Sequence, residues 1–362
     1  MNLMSHEVEQ PISAEQTQRL DQDIARQQAV PAKCKDILQV TNLKMYFPVT
    51  RGLLKRQVGE VKAVDDVTFT VAQGQTLGIV GESGSGKSTI GCCVLRDIKN
   101  TAGKILYDGH DLTQIGDSGM RELRKELTTV TQDPFASLNP RMTVQDIITE
   151  GLKVHGIAGT KAEQRDKVEK MLSLVGLNPK VSSRFPHEFS GGQRQRISVA
   201  RALALSPKFI VCDEIVSALD VSIQAQIVNL MAHLQEQLNV AYIFIGHDLS
   251  VVRHISHQVA VLYLGKIMEL TSSEELYSHP LHPYTKALIS AAPIPNPTVD
   301  QARQRILLQG DIPSPMNPPK GCNFSTRCPY AAKRCHEEEP EYVNVGTDGK
   351  KHYVACHRVN GK

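Results

Sequence analysis

The strongest chemical signal in the sequence is Gly81-Glu82-Ser83-Gly84-Ser85-Gly86-Lys87-Ser88-Thr89, a glycine-rich run that ends in a lysine and two hydroxyls. Glycines at that spacing let successive amides turn inward on phosphate oxygens, and a helix beginning there adds the partial positive charge of its N-terminus. Lys87 then reaches the β- and γ-phosphates of a nucleotide and the Ser88 hydroxyl ligates Mg²⁺, which is the P-loop pattern. A second group stands at Phe209-Ile210-Val211-Cys212-Asp213-Glu214, an apolar run closed by two acids. Asp213 suits the Mg²⁺ shell and Glu214 can polarise an attacking water; the plainer alternative is a pair of acids capping the next helix. His247, just past the apolar run Tyr242–Ile245, could hold the γ-phosphate and the water, although a lone histidine at a strand end is more often structural.

These residues need an α/β sheet to deliver them. Thr76–Val80 is a short apolar run feeding the glycine-rich turn, with a helix from Ser88 to Leu95 behind it. Phe209–Cys212, Ala241–Ile245 and Gln258–Leu264 predict further strands, with a helix over Ile223–Leu238. Upstream, alternation through Ile37–Leu43 and Val64–Val71 predicts antiparallel strands joined by a basic loop over Thr50–Gly59. Ala162–Leu174 and Gly192–Leu205 have helical periodicity, broken around them by Gly176, Pro179, Pro186 and Pro207. Past Leu270 proline becomes frequent, and an irregular extension is expected. The organisation predicted is a polar tail over 1–36, a nucleotide-binding domain over 37–270 with a helical insert at about 140–207, and an extension over 271–362.

Length and composition narrow the class. At 362 residues, one large domain with smaller attachments is the natural division. A hydrophobic content of 41% excludes global disorder, and a net charge of only +3 argues against a nucleic-acid binder held by phosphate contacts. No run of ~18 apolar residues is present, so the chain is not expected to cross a membrane itself. Met1–Pro31 is polar and lacks the apolar stretch of a signal peptide, so a cytosolic location is expected, with any membrane association made through a partner.

Many ATPases and GTPases share the P-loop; a later motif is more specific. Ser190-Gly191-Gly192-Gln193, with Arg194, Gln195 and Arg196 after it, offers a hydroxyl and glycine amides at a helix N-terminus, a second anion site. It resembles the signature sequence of ABC (ATP-binding cassette) transporter ATPases, in which it closes on the γ-phosphate held by the opposite subunit. The resemblance implies roles for other residues in order. Gln132 matches the Q-loop glutamine that touches Mg²⁺ and senses the membrane partner, Ser217-Ala218-Leu219-Asp220 matches the D-loop, and His247 matches the switch histidine. Phe47 matches the aromatic that stacks on adenine, with Tyr46 as its competitor. Asp133-Pro134-Phe135-Ala136-Ser137-Leu138-Asn139-Pro140-Arg141-Met142, Ser217–Gln226 and Pro280-Leu281-His282-Pro283-Tyr284-Thr285 resemble segments of oligopeptide, dipeptide and nickel importers, most closely the F-type ATPase of an oligopeptide importer. Two positions depart from the family's habit: Ile215 stands where proline is usual, and Gly246 where alanine precedes the switch histidine.

What that resemblance implies is a P-loop NTPase fold with a RecA-like core, an antiparallel β subdomain, a helical signature subdomain and a cysteine-containing extension. ATP and Mg²⁺ are the expected ligands. The expected partners are a paralogous D-type ATPase subunit, with a homodimer as alternative, two membrane permeases and, indirectly, an extracytoplasmic solute-binding protein. Residence would be peripheral, on the cytoplasmic face of the inner membrane, and no nucleic acid is expected. Peptides lead as cargo, with nickel, short glycosides and antimicrobial peptides behind. A soluble ABC ATPase of DNA repair or translation would carry long coiled-coil insertions or two cassettes; a regulatory protein that binds ATP without hydrolysing it would not need Glu214 and His247.

Four of the eight cysteines, Cys322, Cys328, Cys335 and Cys356, crowd the end of the chain, separated by five, six and twenty residues. That is not the paired spacing of a zinc ribbon, but four thiolates can hold a 4Fe–4S cluster at wider spacing, and peptide-importer ATPases carry a comparable tail. Iron–sulfur, zinc or no metal are the alternatives, with clamping of a coreless extension as the expected purpose. Cys34, Cys92, Cys93 and Cys212 read as packing residues. Since every nucleotide motif lies before Asp248, the extension is expected to leave ATP turnover largely untouched.

Overall fold

The computed structural model describes residues 35–52, 56–292, 305–347 and 349–360; the tail expected over 1–36 lies outside them but for its last two residues, as does Cys34. In chain order the strands are β1 (Asp36–Arg51), β2 (Arg56–Ala72), β3 (Thr76–Val80), β4 (Ala102–Tyr107), β5 (His110–Asp111), β6 (Leu127–Val130), β7 (Phe209–Asp213), β8 (Ala241–Ile245), β9 (Gln258–Tyr263), β10 (Lys266–Ser272), β11 (Tyr342–Asn344) and β12 (Tyr353–Ala355). They form an antiparallel sheet ordered β2-β1-β4-β5 and a mixed sheet ordered β11-β12-β10-β9-β3-β8-β7-β6. From β9 to β6 the second sheet is parallel throughout.

Strands buried on both faces read as continuous apolar runs, and β3 and β8 are buried at every position. Side-chain alternation splits the core in two. Leu77, Ile79, Val211, Ile243 and Ile245 join the antiparallel sheet and the helix Lys87–Val94 on one face. Ile210, Cys212, Tyr242 and Phe244 meet the helical region on the other. Cys93 and Cys212 are fully buried in these clusters, and burial pushes the Cys93 thiol up to about 12.

The basic loop expected over Thr50–Gly59 is largely hairpin strand, because pairing runs on through Val49↔Gly59 to Arg51↔Arg56. Its outer part is exposed or half-buried on both faces, which leaves no apolar alternation to find. The helical region comprises Val144–Val154, Lys161–Leu174 and Gly191–Leu203. Thr143 and Thr160 cap the first two through their hydroxyls, and Val144, Ile147 and Ile148 face Val168, Met171 and Leu172 in one cluster.

The extension is not irregular throughout: residues 305–332 form no helix or strand, as expected, but helices precede and follow them. Ser272 caps a helix over Ser273–Ser278 that opens with Glu274 and Glu275, and His282 caps Pro283–Ala291 with proline in its first turn. Nor does it lack a core: Tyr284, Cys322 and Phe324 belong to the cluster of the second sheet face, and β12 pairs with β10. Among the described residues no helix is long and apolar enough to cross a membrane.

Candidate functional site

The P-loop leaves the carboxyl end of β3. Gly81 (φ +153) and Gly86 (φ +104) are required to be glycine, since a Cβ would lie 2.2 Å from the Leu262 carbonyl oxygen and 2.1 Å from that of Ala63. Ser83 and Gly84 are exposed at the tip, and Thr89 is half-buried beyond it. Lys87 is buried and donates to the carbonyl oxygens of Gly81 (2.9 Å) and Glu82 (3.0 Å). Burial lowers its pKa, against the pull of Glu214, Asp213 and Glu82. Ser85 is buried too, and its hydroxyl has no partner among the described residues.

Ser88 Oγ donates to Asp213 Oδ1 at 3.0 Å, so the two oxygens expected to share a hard cation already adjoin. Burial raises the Asp213 pKa and the Glu214 charge adds to it, against the Ser88 hydrogen bond and Lys87. Glu214 adopts φ +47, a left-handed conformation rare for such a residue, held by its amide donating to the Ile245 carbonyl and its own carbonyl accepting from Ser217. Glu214 and His247 line one small cleft with Ser217, Gln224 and Asp248. Gln132 is exposed two residues past β6, whose Val130 pairs with Cys212 beside Asp213. The candidates on β3, β6, β7 and β8 thus all follow carboxyl ends of adjacent parallel strands, where open α/β sheets bind their ligands. At Gly246 an alanine Cβ would stand 3.0 Å from Val252 Cγ2, a tight contact that the valine would have to relieve by a small shift.

The signature residues sit elsewhere, at the start of the helix Gly191–Leu203. Ser190 Oγ accepts from the Gln193 amide at 3.4 Å while Gln193 Oε1 accepts from the Ser190 amide at 3.1 Å, a capping box. Both side chains are exposed; Gly192 is buried, where a Cβ would meet Ile223 Cγ2 at 2.5 Å. Asp220 is exposed at the start of Val221–Leu238, and Val221 beside it is 82% exposed. Phe47 is 38% exposed, whereas Tyr46 is tied by its hydroxyl to Asp65 with Lys62 over its ring.

One set of contacts was absent from the sequence-based expectation. Arg327 of the extension makes a two-point ion pair with Glu82 of the P-loop (Nη1–Oε2 2.6 Å, Nη2–Oε1 3.1 Å), and the Glu82 amide donates to Tyr284 Oη at 3.0 Å. The extension therefore touches the nucleotide loop, a contact that the order of the motifs along the chain did not anticipate. No local pattern announces a pair 245 residues apart.

The four late cysteines come within electrostatic reach of one another: burial, then the neighbouring thiols, pushes Cys322 up to about 12, and the same influences raise Cys328. Yet among the described residues no three His, Cys, Asp or Glu side chains are placed to hold a metal ion. The donor chemistry suits an iron–sulfur cluster; the arrangement does not. A larger cavity of about 740 Å³, between β2, β10 and the β11–β12 hairpin, contains none of the predicted site residues.

The ABC transporter family profile matches residues 64–217, and that of the oligopeptide/dipeptide transporter C-terminal region matches 268–335. The chain is 54% identical over 327 residues to the oligopeptide transport ATP-binding protein AppF of Bacillus subtilis, covering 90% of this chain and 98% of that protein. It is 47% identical over 334 residues to the oligopeptide transport ATP-binding protein OppF of Salmonella typhimurium, covering 92% and 99%. Among solved structures, the dimeric ATP-binding cassette MJ0796 bound to ADP and Pi matches with a TM-score of 0.57 at 24% identity, over 65% of this chain and 98% of that one. The cbiO1 subunit from Clostridium perfringens matches at 0.58 and 24%, over 68% and 92%. At that identity the two structures show the fold alone.

Proposed function

The chain belongs to the ABC transporter family, among the oligopeptide transport ATP-binding proteins, and we propose that it hydrolyses ATP at the carboxyl edge of its parallel strands to power peptide import through partner permeases. The observation that carries this is the meeting of Lys87, Ser88, Asp213 and Glu214, with Ser88 on Asp213 at 3.0 Å and Glu214 sharing a cleft with His247. Lys87 and the loop amides bind the phosphates, Ser88, Asp213 and Gln132 would hold Mg²⁺, and Phe47 stacks on adenine. Bound Mg²⁺ supplies charge neutralisation at the phosphates. Glu214 orients and deprotonates the water, and His247 steadies it.

Ser190, Gly191, Gly192 and Gln193 act on the nucleotide of a second cassette, with Asp220 at the junction. The exposure of Ser190, Gln193 and Asp220, together with that of Val221, supports a face that another subunit covers. A paralogous cassette is the proposed partner, and the assembly would sit peripherally on the cytoplasmic side of the membrane beneath its permeases. ATP bridging the two cassettes and its loss on hydrolysis would drive closure and opening. Reconstitution with the permeases tests this: peptide uptake should require ATP and vanish in Lys87→Ala, and ATP-independent uptake would refute it.

For Cys322, Cys328, Cys335 and Cys356 a 4Fe–4S cluster is the proposed occupant on donor chemistry alone, four thiols within electrostatic reach that would have to close up to hold it, and no step of hydrolysis depends on it. Elemental analysis of anaerobically purified protein should find about four irons per chain; zinc or no metal would refute the cluster.

A further inference from the structure

The P-loop is gripped at its second residue from outside the nucleotide-binding fold. Glu82 is held at three points: its amide by the Tyr284 hydroxyl, its carboxylate by Arg327, and its carbonyl oxygen by Lys87 itself. Two of the three holders lie in the extension. We propose that Arg327, with Tyr284, is a positioning residue for the nucleotide loop, so that the cysteine-bearing extension sets ATP affinity. This rests on the ATP-binding reading of the P-loop.

The argument is one of geometry and burial. The Arg327 side chain is only 9% exposed, and a two-point guanidinium–carboxylate pair fixes orientation as well as distance. The pair raises the guanidinium pKa further, so the charge is permanent. Arg327 is delivered rigidly. Phe324, 1% exposed, is wedged among the rings of Tyr263, Tyr284 and His282. Asn323 Nδ2 donates to the Leu264 carbonyl at 3.1 Å, and the Arg327 amide donates to that of Phe324 at 3.1 Å. Cys322 and Cys328 flank this segment, and the Cys322 amide donates to the Cys335 carbonyl at 2.8 Å, tying the segment to the thiol cluster. At the other end of the contact the loop is exposed at Ser83 and Gly84. A glycine-rich loop fixed at its first turn loses less freedom on closing around phosphate, so the brace acts on binding more than on chemistry. A mere staple for the extension would alter stability without altering affinity.

The test uses the full chain and a fluorescent ATP analogue. Arg327→Gln and Glu82→Gln should each weaken nucleotide binding about tenfold, the order expected from removing one partner of a charge-assisted hydrogen-bonded pair. The double variant should be no weaker than either single, and the change should appear in KM for ATP more than in kcat. Affinity unchanged in Arg327→Gln, or losses that add to about a hundredfold in the double variant, would overturn the proposal. If Arg327→Gln fails to fold, Tyr284→Phe and Glu82→Gln decide it: weakened binding supports the brace and unchanged binding refutes it. Wild-type protein that binds no nucleotide would instead refute the underlying ATP-site reading.

Discussion

The nucleotide loop and the extension that touches it hold their working groups by opposite means. At the loop, nine successive residues wrap themselves: glycine conformations are set by close carbonyls, Lys87 folds back on its own loop, and Ser88 reaches the neighbouring strand. In the extension the groups are scattered from Tyr284 to Cys356 and are held by side-chain packing around Phe324 and by the pairing of β12 with β10. The first arrangement survives as a motif because its geometry is local. The second depends on a shared core, so its contacts should be more sensitive to anything that loosens that core.

Breaking the loop's chemistry gives the largest effect. Glu214→Gln keeps the size of the side chain but removes its basicity, and turnover should fall by about 10²–10⁴ while nucleotide binding persists. Phosphate release and nucleotide affinity measured together check this; wild-type turnover would remove Glu214 from the mechanism.

Acid should sharpen the contrast by acting on the extension. Burial holds the His282 pKa down to about 4. For Glu269, burial would raise the pKa, but hydrogen bonds from His352 and from the Leu281 and His282 amides outweigh it and hold it below the usual carboxylate range. In the unfolded chain His282 takes up its proton near pH 6.5, so its contribution is complete above that and is lost as pH falls toward 4; that of Glu269 is lost lower still, through its depressed folded pKa. Thermal unfolding followed between pH 7.5 and 5 should show a loss on the order of 2 kcal/mol from His282. A flat profile would contradict the buried neutral state.

The smallest effect separates two neighbouring aromatics. Phe47→Ala should weaken nucleotide binding up to about tenfold through lost stacking. Tyr46→Phe should leave it unchanged, because that hydroxyl is engaged with Asp65. The reverse pattern would exchange their roles.

Much of the molecule is legible in its sequence, for reasons that differ by region. The P-loop, the two acids after Phe209–Cys212 and the signature can be read because each is a short run whose backbone shape dictates residue type. Two of the three helices of the inserted region are readable from apolar spacing, to within a residue or two at Lys161–Leu174 and Gly191–Leu203, while Val144–Val154 is missing from the sequence-based expectation. The hairpin at Arg51 and Arg56 is not, since it is solvated on both faces. The helices Ser273–Ser278 and Pro283–Ala291 carry capping signals in Ser272 with Glu274 and Glu275, and in His282-Pro283, that the frequency of proline obscures. The grip of Arg327 on Glu82 has no local signature at all.

The central claim is that this chain binds ATP on its own loop but hydrolyses it only against a second cassette. Ser190→Arg tests that most directly, since Ser190 is exposed at a helix start and a bulky cation there would block closure. Nucleotide affinity and phosphate release should be measured on one preparation of this variant. The account predicts unchanged binding with hydrolysis abolished; collapse of nucleotide binding, or hydrolysis at the wild-type rate, would contradict it.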